Sequence, residues 1–336
     1  MAAVTAIERH RVAARERVRR AGIPRPGPDS VSWKVNREVV VIAGWGRAIL
    51  LQLAHPLVAA GVEEHSSFRV GVAASARRLR STIRAMLALT FGGEEETISA
   101  AAAINLIHDR VSGRLRTPAG VFPQGTAYSA HDPGLLCWVH ATLLDSIPLT
   151  YELLVGPLTP AERDGYCAEA AIMEPLLDIP AGLLPRSTRV LDAYMEEMLA
   201  GGHIAVTPRT RALARAALFP PGWRLFWPAF RPLQLITVGL LPPAVREAYG
   251  FQWTRHEARA LDRWTAALRI VRRLLPASVR EWPSSRMGSG GNPLHRQPVF
   301  RTVGASGWGA AALGLLFASV LLRRRPAPPD APSGRV

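Results

Sequence analysis

From Ser30 to Trp282 the chain is punctuated as helices and almost nowhere alternates apolar with polar residues at the period of a strand. Asp132-Pro133 is an N-cap followed by proline at the first helical position, and predicts a helix over 133–154. Thr159-Pro160-Ala161-Glu162 and Thr254-Arg255-His256-Glu257 are capping boxes, the second opening a helix to about Leu275. Ser187 and Thr207-Pro208 begin two more. Upstream, an apolar helix is expected over 36–60, running into His55-Pro56, another over 75–91 stopped by Gly92-Gly93, and a third from Glu94 to about 115 with acids in its first turn. The expectation is an all-α single domain of about ten helices, the central ones apolar over most of their surface and therefore buried. At 48% hydrophobic, 336 residues can fill such a core.

The net charge of +15 is unevenly spread. Residues 1–28 carry seven Arg against two acids, and 286–336 carry seven Arg against one Asp, so the body between them is close to neutral. Basic tails on a near-neutral body suit an anionic membrane surface at least as well as a nucleic acid, and the expected partner is a membrane, not nucleic acid. The N-terminus has no apolar core of a secretory signal and is expected to be a frayed basic helix, an arm over 1–29. At the other end a Ser/Gly/Pro linker, 284–301, precedes 21 uncharged residues at 302–322, then Arg323-Arg324-Arg325 and a Pro-rich tail, 323–336. As a helix the uncharged stretch spans roughly 31 Å, about one hydrocarbon core. It is expected to be a single-pass transmembrane anchor; the triple Arg favours a cytoplasmic tail, but the linker and body carry Arg too, and the catalytic domain, 30–283, is expected on the cytoplasmic side.

Two cysteines, Cys137 and Cys167, exclude a disulfide scaffold, a four-cysteine zinc site and the usual iron–sulfur ligation. Lys34 is the only lysine, so Schiff-base chemistry is confined to that position. The chain has no HExxH, P-loop, GxSxG or CxxC. What remains is polar residues on apolar helix faces. His108 has Ile104 at i−4, Val111 at i+3 and Leu115 at i+7; His140 has Leu136, Leu143 and Leu144 around it; Arg78 and Thr82 share a face with Met86 and Leu89. His55 stands where Pro56 disturbs the backbone. Each residue alone reads as structural: a core histidine is commonly hydrogen-bonded, a buried Arg commonly ion-paired, and Asp132 is a cap. Their number within about 90 residues exceeds what a purely structural core carries.

LLQLAHPLVAAGVEEHSSF at 50–68, Arg78-Leu-Arg-Ser-Thr82, INLIHDRVSG at 104–113, YSAHDPGLLCWVHATLLDS at 128–146, and later blocks at 151–170 and 239–253 resemble the ER-bound oxygenase mpaB / rubber oxygenase (latex clearing protein) catalytic domain family over about 30–283. The resemblance implies a helical fold with a globin-like core around haem b, and oxidative chemistry on an apolar, isoprenoid or lipid-like substrate. It makes His108 the axial iron ligand, and Arg78 and Thr82 the Arg and Thr of the block across the haem. His140 matches a second family histidine of unassigned role; His55 and His65 match a block that is structural or lines the pocket. Rubber-cleaving members carry a lysine where this chain has Ser81, which argues against a lysine-capped iron and against rubber cleavage.

On this reading O2 is activated at a histidine-ligated haem beside an apolar cleft, with Arg78 stabilising developing negative charge or holding a propionate. A reductase partner is needed only if one oxygen atom is reduced to water. Two other readings stay open: a membrane-tethered helical protein that binds haem or lipid without turnover, and a non-haem iron enzyme using His55, His108 and His140 with Asp132 or Asp145.

Overall fold

A computed structural model describes residues 2–65, 71–218 and 227–286 of the chain. The elements run α1 (Ala2–Ala21), α2 (Val31–Asn36), α3 (Ile42–Ala54), α4 (Pro56–His65), α5 (Gly71–Phe91), α6 (Glu94–His108), β1 (Ser112–Arg114), β2 (Ala127–Ser129), α7 (Pro133–Leu154), α8 (Pro160–Glu169), α9 (Met173–Leu177), α10 (Thr188–Ala200), α11 (Pro208–Leu218), α12 (Trp227–Gly239), α13 (Pro243–Ala248), α14 (Arg255–Leu274) and α15 (Ala277–Arg280). The domain is helical as expected, but divided more finely than into ten helices.

The spine is the α3–α7 crossing. Its core joins Leu50, Leu51 and Ala54 of α3 to Trp138, Ala141, Leu144 and Ile147 of α7. Two glycines on α3 permit the close approach. A Cβ at Gly44 would sit 2.7 Å from the Ser146 carbonyl oxygen, and one at Gly46 would sit 2.5 Å from Thr237 Oγ1 on α12. A second core cluster ties Leu89 and Ala101 of the α5–α6 hairpin to Leu136 and Cys137 of α7 and to Leu176 and Leu177 of α9. A third gathers Trp33, Val39, Phe91 and Trp282, so the end of the body is stitched to α2. Trp282 N donates to the Arg37 carbonyl at 2.9 Å, and Trp33 Nε1 donates to that of Ser285 at 3.1 Å.

Four expectations are corrected. The apolar helix over 36–60 is broken: a short 3-10 turn at Val39–Val41 precedes α3, which ends at Ala54, and α4 leaves it at 101°. Pro56 is the cause, since the residue before a proline is driven out of the helical region, and His55 is extended at φ −83°, ψ 120°. The helix from Glu94 stops at His108 instead of continuing to 115. The chain there turns into the β1–β2 hairpin, paired Ser112 to Ser129, Gly113 to Tyr128 and Arg114 to Ala127. A Cβ at Gly113 would lie 2.5 Å from the Tyr128 hydroxyl, so only glycine lets the strands close under that ring.

The N-terminal helix is docked, not frayed. α1 packs on α6 and α9, with Ala14 fully buried. Arg15 meets Glu95 at 2.7 Å, in the acidic first turn of α6, and Arg17 donates to the Pro175 carbonyl at 2.8 Å. Finally, Thr82 is exposed. Ile83, Leu87 and Phe91 pack against Trp33 and Val39, about 100° round the helix from Thr82, while on the side of Thr82 burial begins only two turns later, at Leu89.

No single helix among the described residues is long and apolar enough to cross a membrane. Together α3 and α4 pass by length and composition, but they are bent on one another and supply much of the buried core. The anchor expected at 302–322 lies outside the described residues.

Candidate functional site

The histidines at one end of the α5–α6 hairpin form the site. His108 is the last residue of α6, and its carbonyl receives Val111 N at 3.0 Å as the chain turns away. Its partly buried imidazole has no hydrogen-bond partner for Nδ1 among the described residues. Burial, reinforced by His131 and His140 nearby, pushes the ring down to about 4, so it is neutral at physiological pH. The His131 ring stands edge-on at 5.7 Å between centroids. His131 is held in turn by Asp109, whose Oδ1 lies 2.9 Å from Nε2, while His10 of α1 takes Oδ2 at 2.7 Å. Those two contacts keep the Asp109 carboxyl below the ordinary carboxylate range.

His140 enters from α7, whose N-terminus is set by the Asp132 side chain accepting Leu135 N at 3.0 Å. Its Nδ1 lies 2.9 Å from the Leu136 carbonyl oxygen, one turn back. A carbonyl can only accept, so Nδ1 carries the proton. Nε2 is then left with a free lone pair, and burial lowers the pKa of the ring. Asp109 and His131 were not among the residues singled out from sequence. Their signal was there, in His108-Asp109 and His131-Asp132, but nothing local shows that the two dipeptides meet. His10 had no local signal at all.

The other expected residues are distributed differently. Arg78 and Thr82 lie on α5, antiparallel to α6; a rise of 1.5 Å per residue puts Arg78 and His108 each roughly 20–25 Å from the Gly92-Gly93 turn. The two are therefore at the same height along the hairpin; the Arg78 side chain lies outside the described part. Thr82, one turn closer to Gly92-Gly93, is exposed. His55 is buried elsewhere, 5.1 Å from the Phe122 ring and 6.5 Å from that of Trp138, and burial with His203 beside it lowers it to about 4. His65 is exposed at the end of α4, 3.1 Å from the Ser112 carbonyl oxygen.

Among the described residues no three His, Cys, Asp or Glu side chains converge to hold a metal ion. His55, His108 and His140 do not form a ligand set, Asp132 is a helix cap, and Asp145 is engaged by Arg47 at 2.5 Å. This removes the support for a non-haem iron centre. Lys34, the single lysine, is on α2 and paired with Glu162 at 2.5 Å. A prosthetic group that brings four of its own ligands needs one imidazole only. His108 fits that need: it is neutral, partly buried, and carries a nitrogen that the protein leaves unsatisfied.

The site is thus a cluster of partly buried histidines at one end of a helical hairpin, with one imidazole nitrogen that no described residue satisfies. The sequence model of the ER-bound oxygenase mpaB/B'/rubber oxygenase catalytic domain matches residues 33–272, and the chain belongs to that family. Uncharacterised proteins of Mycobacterium bovis and Mycobacterium tuberculosis are each 28% identical to it over 235 residues, covering 68% of this chain and 87% of theirs. No solved structure matches.

Proposed function

We propose that the protein is a haem b-dependent oxygenase acting on a hydrophobic, isoprenoid or lipid-like substrate. The observation that carries the reading is the His108 imidazole, neutral and with Nδ1 buried and unsatisfied. Family membership supports the oxygenase class. When bound, haem supplies the iron chemistry that activates O2.

The chain's own residues have separable tasks. His108 would hold the group through its neutral imidazole, and with no hydrogen bond to Nδ1 from a described residue its basicity is set by burial and by His131 and His140. His140 holds its proton on Nδ1 against the Leu136 carbonyl, which leaves Nε2 unprotonated as a hydrogen-bond acceptor, while burial disfavours the charged ring. Arg78, level with His108, supplies a guanidinium for a propionate or for negative charge developing during reaction. The neighbouring apolar helices exclude water and accept the substrate.

The visible absorption spectrum of the purified protein tests this. A Soret band is expected, with loss of the band in His108→Ala while far-ultraviolet circular dichroism is unchanged. A protein expressed with ample haem that shows no Soret band, or full occupancy in His108→Ala, sinks the assignment. O2 uptake with an unsaturated terpenoid, lost in Arg78→Ala, separates an oxygenase from a carrier.

A further inference from the structure

We propose that the solvent face of α14, continued by α15, is a docking surface for an anionic lipid bilayer. This goes beyond the oxygenase reading and requires neither haem nor substrate. α14 is two-faced. Ala260 and Thr265 are buried, and Leu261 and Leu268 pack against Leu154 and Ile236 of the body. At 100° per residue the opposite stripe holds Arg255, Arg259, Arg263, Ala266, Ile270, Arg273 and Leu274, with Asp262 its one acid. None of these four arginines forms an ion pair with any described residue. Leu274 is 79% exposed, Ile270 59%, and Val279 on α15 38%.

A groove of about 410 Å³ flanks the stripe, lined in part by Arg163, Arg269 and Arg273. The one acid there, Glu152, is taken by Arg163 at 2.7 Å, and Arg269 donates to the Leu153 carbonyl at 2.7 Å. Arg273 faces the groove without an anion.

Two observations choose a lipid surface over a protein partner. Cationic heads interleaved with protruding aliphatic side chains match the headgroup–acyl boundary of an anionic leaflet, where each arginine near the surface adds to the attraction. The sequence also continues, about a dozen residues after Leu274, into a Gly/Ser linker, then the uncharged stretch 302–322 and Arg323-Arg324-Arg325. A tether there would keep the domain close to a bilayer.

The test uses the full chain with an environment-sensitive fluorophore on Ala266→Cys; the native Cys137 and Cys167 are buried and leave the new thiol as the accessible one. On vesicles containing phosphatidylglycerol the probe is expected to brighten and shift to the blue. The shift should be lost in 1 M salt, in Arg259→Glu/Arg263→Glu, and in Ile270→Asn/Leu274→Asn, each checked by circular dichroism for an intact fold. A probe on Val190→Cys, exposed on α10, should not respond. No shift at 266 on these vesicles, an equal shift at 190, or an equal shift on pure phosphatidylcholine vesicles overturns the proposal.

Discussion

Two regions of the molecule bury polar side chains, and they treat them in opposite ways. At the α3–α7 crossing the buried Arg and Thr side chains are matched. Arg47, 5% exposed, gives Nη1 to Asp145 at 2.5 Å and to Ser146 Oγ at 2.7 Å, and Nε to the Leu240 carbonyl at 2.7 Å. Thr142 receives Gln52 at 3.0 Å, and Thr150 donates to the Ser146 carbonyl at 2.9 Å. At the end of the α5–α6 hairpin, His108 is left with an unanswered nitrogen and His140 with a free lone pair. Buried nitrogens without a described partner occur at the crossing as well, at Trp45 and Trp138, but an indole N–H can only donate, whereas an imidazole nitrogen can also bind a ligand. The first set holds helices together; the second is available to something the chain does not itself contain.

The contrast can be broken most easily at its satisfied side. Arg47→Ala strands Asp145 and should cost about 3–5 kcal/mol in urea unfolding, whereas His108→Ala should change stability by no more than about 1 kcal/mol in the haem-free protein. Equal losses would erase the distinction.

Acid should act next. The folded-state pKa values of His55 and His108 are lowered to about 4 from an ordinary 6.5, so between those limits the unfolded chain binds more protons. Their stability contribution is therefore complete above pH 6.5 and is lost as pH falls toward 4, by up to about 3 kcal/mol for each ring. Most carboxylates titrate lower, so unfolding midpoints between pH 6.5 and 5 isolate the histidines; a flat profile there would contradict their burial as neutral rings.

Smaller effects sharpen the comparison. Gly44→Ala pushes a methyl into the Ser146 carbonyl at 2.7 Å and Thr150 Oγ1 at 2.8 Å, and should cost about 1–3 kcal/mol by differential scanning calorimetry. His10→Ala, which breaks a half-exposed bridge to Asp109, should cost less than about 1 kcal/mol and less still in high salt. A larger loss would mean that α1 supports the His108 end more strongly than its contacts indicate.

What could be read from sequence was what is decided within a few residues. Thr159 with Glu162 and Thr254 with Glu257 form the capping boxes their spacing announces, and Asp132 caps α7. The end of α6 was not legible, because it is decided by Gly113 fitting beneath Tyr128, a contact across the hairpin. Nor was the docking of α1, whose arginines find Glu95 about 80 positions away. The face of Thr82 was misread because two apolar stripes on α5 lie one residue apart, and only the packing of Trp33 chooses between them. The histidine end was legible as separate candidates, but the Asp109–His131 contact that supports it was not.

The seam between the last described segment and α2 has a mechanical consequence. Trp282 and Ser285, close to the last described residue, are bonded to Arg37 and Trp33. Nearby, Arg272 of α14 grips Glu38 with both of its forward nitrogens. A pull on whatever follows residue 286 would load these bonds and the indole of Trp282 in its cluster before any strain reached α7, so a tether at this point could tug on the domain without disturbing the helix that carries His140.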